Sequence, residues 1–309
     1  MQFQVPILVI IFNRPHLVQL LFNEIRKQKP KYLYISCDGP RVDKCGEQEL
    51  INQSKEIFSK IDWDCEVATL YRDENWGAGK SIYDSLVWFF KQVDEGIVFE
   101  EDCFPHQDFF QYCEELLERY RNCEEIMFIG GNNFNSQLMM EHSYYFSSYA
   151  HIWGWASWKR AFEGYSFNLK DVRSRDIKRV LKNYNFSWSE KMVWFDKFKR
   201  IQMGQINSWD YQLVFNIWNK KGISIIPSQN LVKNNGFGDN AIHCKDMRSD
   251  FAKLTLNPIL PLTHPEFVFI DSDKDKAFFN KYWKKSVIQL LWRFVYRHYF
   301  SIFKKKKLL

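Results

Sequence analysis

The chain has 309 residues, 46% hydrophobic and 26% charged, which is ordinary for a soluble protein with one large domain or two small ones. Its seven cysteines form no C-x-x-C pair, which argues against a disulfide framework or a zinc site and favours a reducing compartment. The net charge of +6 is uneven, because basic residues cluster near the C-terminus.

No basic, signal-like segment precedes the first apolar run, and no run of about 18 apolar residues is present. We therefore expect a cytoplasmic protein without a spanning helix. Strand and helix patterns alternate in the first half of the chain, which predicts an open, mostly parallel α/β sheet flanked by helices. The predicted strands are 5–12, 32–37, 66–71 and 96–99, and the predicted helices begin at Pro15 and cover 47–60, 78–93 and 109–120.

The second half is less regular. Strands are predicted at 126–130, 144–146 and 223–226, helices at 171–183, 189–203 and 209–221, and a loop at 153–155. We predict one catalytic domain over residues 1–271 and a helical, basic extension over 272–309.

Polar side chains follow each of the first four predicted strands. They are Asn13 and Arg14, Asp38, residues 72–75, and the acidic residues 100–102. Ligands of open α/β sheets bind beyond the carboxyl ends of the strands. These four ends therefore predict a binding site at one edge of the sheet.

The acidic triplet Glu100, Glu101 and Asp102 is the most informative of these groups. Three adjacent carboxylates repel one another unless a cation is present, and Mg²⁺ or Mn²⁺ takes oxygen ligands from carboxylates and substrate phosphates. The alternative is a solvated acidic turn that caps the next helix.

The segment from Asn75 to residue 81 contains Gly77, Gly79 and Lys80 before a predicted helix. Its spacing differs from that of a Walker loop, so a nucleotide triphosphatase is a poor fit. Backbone N–H groups and Lys80 could still approach a diphosphate. A tight strand-to-helix turn with a surface lysine explains the pattern equally well.

Asp210 follows Trp209 at the start of a predicted helix, where a capping role is the more common explanation for an aspartate. A catalytic role is the alternative. His243 follows a glycine-rich loop and, taken alone, is a surface or structural residue rather than a ligand.

Taken in order, several short motifs resemble a bacterial group of GT-A (Rossmann-like) glycosyltransferases. The chain is similar to glycosyltransferase family 2 and, more distantly, to the Golgi N-acetylglucosaminyltransferase I family. The resemblance covers roughly residues 3–245. Its motifs are Phe12-Asn13-Arg14-Pro15, Asp38-Gly39-Pro40, Asn75-x-Gly77, residues 100–102, Gly154-Trp155, Trp209-Asp210 and Asn234-x-Gly236-Phe237-Gly238.

The resemblance implies a nucleotide-diphospho-sugar donor, usually UDP-linked, and one divalent metal, Mn²⁺ or Mg²⁺. It implies that Arg14 and Asp38 contact the nucleotide, that Asp102 binds the metal, and that Asp210 is the catalytic base. His243 matches a family histidine that is a candidate metal or phosphate ligand. Glu100 and Glu101 fall on the other two positions of the family's acidic triplet and are implied to bind the nucleotide-sugar. Glu101 replaces the family's aspartate, which shifts its implied contact to the ribose by one methylene, and Trp76 replaces a small aliphatic residue.

From these residues we predict an inverting transfer in which Asp210 takes a proton from an acceptor hydroxyl. The metal on Asp102, with Lys80 or Arg14, stabilises the leaving diphosphate. Trp155 is the candidate for stacking on a sugar, and a core tryptophan is its alternative.

Three other classes of protein remain open. A glycoside hydrolase needs two carboxylates across the sugar. A sugar-nucleotidyltransferase shares the α/β core, but it normally has a glycine-rich basic loop after the first strand, which Asn13-Arg14-Pro15 does not provide. A non-catalytic carbohydrate- or nucleic-acid-binding protein is suggested by the aromatic content of 18% and the basic tail.

The tail predicts an amphipathic helix with apolar residues spaced along 288–302 and basic residues before and after it. Such a helix would lie in an anionic membrane surface rather than cross it. We therefore expect a peripheral protein of the inner membrane face that uses a lipid-linked glycan acceptor and no nucleic acid. A helix packed on the catalytic domain is the alternative.

Overall fold

A computed structural model describes residues 2–134, 140–236 and 254–284 of the chain. Within these ranges the chain forms a mixed α/β structure whose main sheet has eight strands flanked by helices. A second, two-stranded sheet joins Cys103–Pro105 and Val232–Asn234. The predicted fold class is confirmed.

The first half alternates strands and helices as predicted. The strands are β1 (Ile7–Ile11), β2 (Tyr32–Cys37), β3 (Glu66–Tyr71), β4 (Glu95–Glu100), β5 (Cys103–Pro105) and β6 (Ile126–Gly130). The helices are α1 (Pro15–Gln28), α2 (Glu47–Glu56), α3 (Ala78–Gln92) and α4 (Asp108–Arg119), and a short 3₁₀ turn, Ile57–Lys60, follows α2. Pro15 suits the first turn of α1, where its missing N–H needs no partner.

The described part of the second half contains short strands of three to five residues and four further α-helices. The strands are β7 (Tyr144–Ser147), β8 (Trp155–Trp158), β9 (Ile223–Pro227) and β10 (Val232–Asn234). The helices are α5 (Ser174–Lys182), α6 (Trp188–Gln202), α7 (Asp210–Asn219) and α8 (Ser272–Tyr282). The loop predicted at 153–155 is wrong at its last residue, because Trp155 begins β8.

The strand order of the main sheet is β3-β2-β1-β4-β8-β6-β9-β7. The four strands β3, β2, β1 and β4 are mutually parallel. β8 runs antiparallel to both β4 and β6, and β7 runs antiparallel to β9, whereas β6 and β9 are parallel to each other. The carboxyl ends of β1 to β4 therefore meet at one edge, as the polar strand ends predicted.

The core is rich in aromatic side chains. β1 is buried at all five positions, which explains its uninterrupted apolar sequence. Helix α8, the start of the predicted extension, packs on this core through Phe278, whose ring lies 5.2 Å from that of Tyr149 and 4.7 Å from that of His151. The remainder of the predicted tail helix, after Lys284, lies outside the described residues.

None of the helices in the described ranges is both long enough and apolar enough to cross a membrane.

Candidate functional site

A cavity of about 600 Å³ lies at the carboxyl edge of the sheet. Its size is in the range typical of small-molecule sites. Four of the predicted site residues line it together: Arg14 after β1, Glu100 and Asp102 at the end of β4, and Asp210 at the start of α7. Residues about 200 positions apart in the chain thus meet in one cavity.

The three acidic residues after β4 have different environments. Glu101 is buried, and its carboxylate accepts hydrogen bonds from the backbone N–H of Phe12 and from Nε of Arg14, each at 2.5 Å. Nη2 of Arg14 lies 3.1 Å from Oδ2 of Asp102. Glu101 therefore fixes the loop after β1 and orients Arg14, whereas Asp102 faces the cavity.

Glu100 also lines the cavity. Burial, together with the negative charges of Asp102 and Asp210, raises its pKa to about 8, although Arg14 lowers it. Carboxylates gathered in this way repel one another, and a cation or a proton between them relieves the repulsion.

The segment 234–236 reaches the acidic triplet through the pairing of β10 with β5, in which Asn234 is opposite Cys103. The N–H of Asn235 donates to the carbonyl oxygen of Asp102 at 2.7 Å. A Cβ on Gly236 would lie 2.5 Å from Oδ2 of Asp102, so any other residue here would require the Asp102 carboxylate to shift. Of the motif 234–238, residues 237 and 238 lie outside the described ranges.

Asp38 holds the loop after β3. Its carboxylate accepts a hydrogen bond at 3.0 Å from the backbone N–H of Trp76 and another at 3.0 Å from that of Gly77. The side-chain amide of Asn75 donates to the carbonyl oxygen of Gly39 at 2.7 Å. Gly77 has a φ of +78°, which suits glycine at this turn. Asp38, Asn75 and Gly77 therefore stabilise one loop together, and none of the three is among the residues that line the cavity.

Lys80 is not among the residues that line the cavity. It is exposed, and its ammonium group lies 4.1 Å from the centre of the Trp76 ring, a cation–π contact. Gly79 of the same segment does line the cavity, where a Cβ would clash with the side chain of Asn207.

Asp210 is the first residue of α7, and its carboxylate accepts a hydrogen bond from the hydroxyl of Ser208. The residue before it, Trp209, is buried and accepts a hydrogen bond on its carbonyl from Tyr165 at 2.6 Å. A carboxylate in the first turn is also favoured by the helix dipole. The N-cap of α7 is Trp209 and not Asp210, so the predicted capping role is wrong, whereas the predicted role of Asp210 as a base remains a prediction.

Trp155 does not have the stacking role that we predicted. It is 1% exposed and stacks on Phe128 and Trp209 in the core, with ring centres 5.1 and 6.0 Å apart. Trp153, two residues earlier, is partly exposed and lines the cavity. Trp153, and not Trp155, is therefore the tryptophan that a ligand in the cavity can contact.

A second set of lining residues was missed by the sequence analysis. Lys197 and Arg200 of α6 line the cavity, together with the loop 205–208 that connects α6 to α7. Their spacing of three residues puts them on one side of the helix, but nothing in the sequence shows that this side faces the acidic strand ends.

Within the described ranges, no group of three or more His, Cys, Asp or Glu side chains is arranged to hold a metal. His243 lies outside these ranges. The oxygen donors of Asp102 fit a hard divalent ion, which typically binds through one or two carboxylates and completes its shell with substrate phosphates and water. The residues therefore fit a metal that binds together with a diphosphate.

No protein-family model matches the chain, and a search of curated proteins finds no match. Several solved structures are similar to part of this chain. One is a cytidylyltransferase from Leptospira borgpetersenii, with a TM-score of 0.34, 10% identity, and 56% of this chain and 66% of that chain covered. Another is an apo UDP-glucose pyrophosphorylase, with a TM-score of 0.36, 10% identity, and 72% and 90% covered.

A third is HddC from Yersinia pseudotuberculosis, with a TM-score of 0.32, 11% identity, and 52% of this chain and 80% of that chain covered. These scores and identities are too low to assign an activity. The strand order and strand directions of the chain itself define its fold.

Proposed function

We propose that this protein is a metal-dependent, inverting glycosyltransferase that uses a nucleotide-diphospho-sugar, with UDP as the expected nucleotide. The observation that supports the proposal is that Arg14, Asp102 and Asp210 line one cavity. They supply a cationic group, a metal-binding carboxylate and a second carboxylate at the edge where ligands of α/β sheets bind.

In this proposal Asp210 accepts the proton of an acceptor hydroxyl as the oxygen attacks the anomeric carbon. The hydroxyl of Ser208 orients the carboxylate. Arg14 is held in place by Glu101 and turns its remaining N–H groups toward the diphosphate.

Asp102 would hold the divalent metal, Mn²⁺ or Mg²⁺, which when bound neutralises charge on the leaving diphosphate. Before a metal binds, Arg14 partly balances the charge of Asp102, because its Nη2 lies 3.1 Å from Oδ2 of Asp102. The same residue pair thus keeps the site compact before a ligand arrives.

Nucleotidyl transfer is the main competing activity. It needs a basic loop after β1 that is able to wrap a triphosphate. Here Asn13 donates to Glu47 at 2.8 Å, and Arg14 is paired with two carboxylates. The loop is therefore fixed to the protein, which favours glycosyl transfer.

The test is a panel of nucleotide-sugars, assayed for metal-dependent hydrolysis and for thermal stabilisation by UDP with Mn²⁺. A parallel panel offers nucleoside triphosphates with sugar 1-phosphates and measures pyrophosphate release. Hydrolysis that stops with EDTA supports the proposal. Pyrophosphate release without nucleotide-sugar hydrolysis would establish nucleotidyl transfer instead.

We also propose peripheral binding to the inner membrane face, where a lipid-linked glycan acceptor would be found. The support is the basic, amphipathic pattern of the tail sequence. Co-sedimentation with anionic liposomes compares the full chain with one that stops before Lys284. Equal binding by both would contradict the proposal.

A further inference from the structure

The cavity has a basic wall opposite in charge to the acidic triplet. We use this name for Lys197 and Arg200, which α6 contributes to the lining. The ammonium group of Lys197 lies 4.0 Å from the ring centre of Tyr211 and 3.9 Å from that of Trp283. These rings fix the position of the lysine through its stem and its charge.

Arg200 adds a second positive charge. Among the described residues, no carboxylate forms an ion pair with the Arg200 side chain, unlike Arg14 with its two carboxylates. An arginine that lines a cavity without such a partner can form hydrogen bonds with an anionic ligand.

The basic wall lies next to the proposed base. Tyr211, which Lys197 contacts, follows Asp210 directly in α7, and its pKa is raised by burial and by Asp210 but lowered by Arg200. The positive charges of Lys197 and Arg200 thus both act on Tyr211. A base that deprotonates the acceptor must face it, so we assign the basic wall, which contacts the residue after the proposed base, to the acceptor side of the cavity.

We propose that Lys197 and Arg200 form an acceptor subsite for a phosphate group, so that the acceptor is a phosphate-bearing sugar or sugar lipid; this rests on the function proposed above. A phosphate ester carries about −1.5 to −2 charges at neutral pH, which two cationic side chains match better than the single charge of a carboxylate. Trp153 in the same cavity offers a flat surface for the sugar ring.

The test is calorimetry on the full chain saturated with UDP and Mn²⁺, so that the donor position is filled. The probes are octyl diphosphate for a lipid-linked phosphate, glucose 1-phosphate for a sugar phosphate, and octyl glucoside as the neutral control. We expect at least one phosphate probe to bind and octyl glucoside to bind more weakly, and the better phosphate probe identifies the source of the phosphate.

Arg200→Gln and Lys197→Met are each expected to weaken phosphate binding about tenfold or more, as the loss of a charge-assisted hydrogen bond does. Arg200→Lys keeps the charge and should retain most of the affinity. Lys191→Gln is the matched control, because Lys191 is on α6 but outside the cavity lining, and it should bind like the wild type.

Wild-type affinity in Arg200→Gln would overturn the proposal. So would a phosphate probe that binds the unliganded protein but not the protein saturated with UDP and Mn²⁺, because the basic wall would then belong to the donor diphosphate. If UDP itself does not bind, the proposed function fails. The subsite is then judged on the unliganded protein by the effect of Arg200→Gln on octyl diphosphate binding alone.

Discussion

Arg14 pairs with two consecutive carboxylates, through Nε with Glu101 at 2.5 Å and through Nη2 with Asp102 at 3.1 Å. The Glu101 pair is buried and the Asp102 pair faces the cavity. We therefore expect different effects when each carboxylate is replaced by its amide.

Asp102→Asn removes the charge that would hold the metal. We expect Mn²⁺-dependent binding of UDP and sugar transfer to be lost, because a neutral amide is a much weaker ligand for a hard cation. The free energy of unfolding should change little, since Asp102 lies at the cavity. Calorimetry with UDP and Mn²⁺ measures the first effect, and wild-type turnover in this variant would contradict the metal site.

Glu101→Gln tests whether this residue supports the site or contacts the nucleotide. We expect unfolding to become easier by about 1–3 kcal/mol, because the buried hydrogen bonds to Phe12 and Arg14 are impaired. Urea denaturation measures this change. Unchanged stability with a large rise in the dissociation constant of the donor would instead indicate direct contact with the ribose.

Asp210→Asn should reduce transfer by about two to four orders of magnitude, the usual contribution of a general base. The affinity for the donor should stay near that of the wild type. Ser208→Ala, which removes only the hydroxyl that donates to Asp210, serves as the milder comparison. A variant that transfers normally but loses stability would show that Asp210 only stabilises the start of α7.

The two neighbouring tryptophans should behave in opposite ways. Trp155→Ala leaves a large void beside Phe128 and Trp209 and should cost about 3–5 kcal/mol of stability. Trp153→Ala should cost less stability and impair substrate binding, because Trp153 is partly exposed in the cavity. Thermal denaturation and the KM for both substrates separate the two outcomes.

Asp275 should make stability depend on pH. Burial raises its pKa from 3.8 to about 6, although the Ser147 hydroxyl and the Ser148 N–H lower it. The folded protein therefore binds this proton more tightly than the unfolded chain, and the group's contribution to stability is lost as pH rises through about 6.

Asp275→Asn mimics the protonated carboxyl and removes this dependence. The stability of the variant relative to the wild type should thus rise by about 1–3 kcal/mol between pH 4 and pH 7. Urea denaturation at several pH values measures the difference. A difference that stays constant over this range would show that Asp275 titrates normally.

The sequence predicted the first half of the fold well, because each pattern there is local. Strands β2 and β3 have the predicted bounds, and Pro15 begins α1 as expected. The missed strands β5, β8 and β10 have three or four residues each, which is too short for a period-two pattern. Their pairing depends on distant partners, as between Asn234 and Cys103.

The candidate site was predicted only in part for a related reason. Arg14, Glu100, Asp102 and Asp210 follow strand ends or begin a helix, so their position can be inferred from the order of elements. Whether a side chain faces the cavity depends on tertiary packing. That packing places Lys80 against Trp76, buries Trp155, and brings Arg200 of α6 to the cavity.

The contact between Phe278 of α8 and Tyr149 also has a consequence for synthesis of the chain. About 130 residues separate the two rings, and at about 5–20 residues per second the ribosome needs roughly 6 to 26 s to make them. During this interval Tyr149 and His151 lack the ring of Phe278, so the aromatic surface that α8 covers in the folded protein is not yet covered. Chaperones that bind apolar segments would find their target there until α8 emerges and packs.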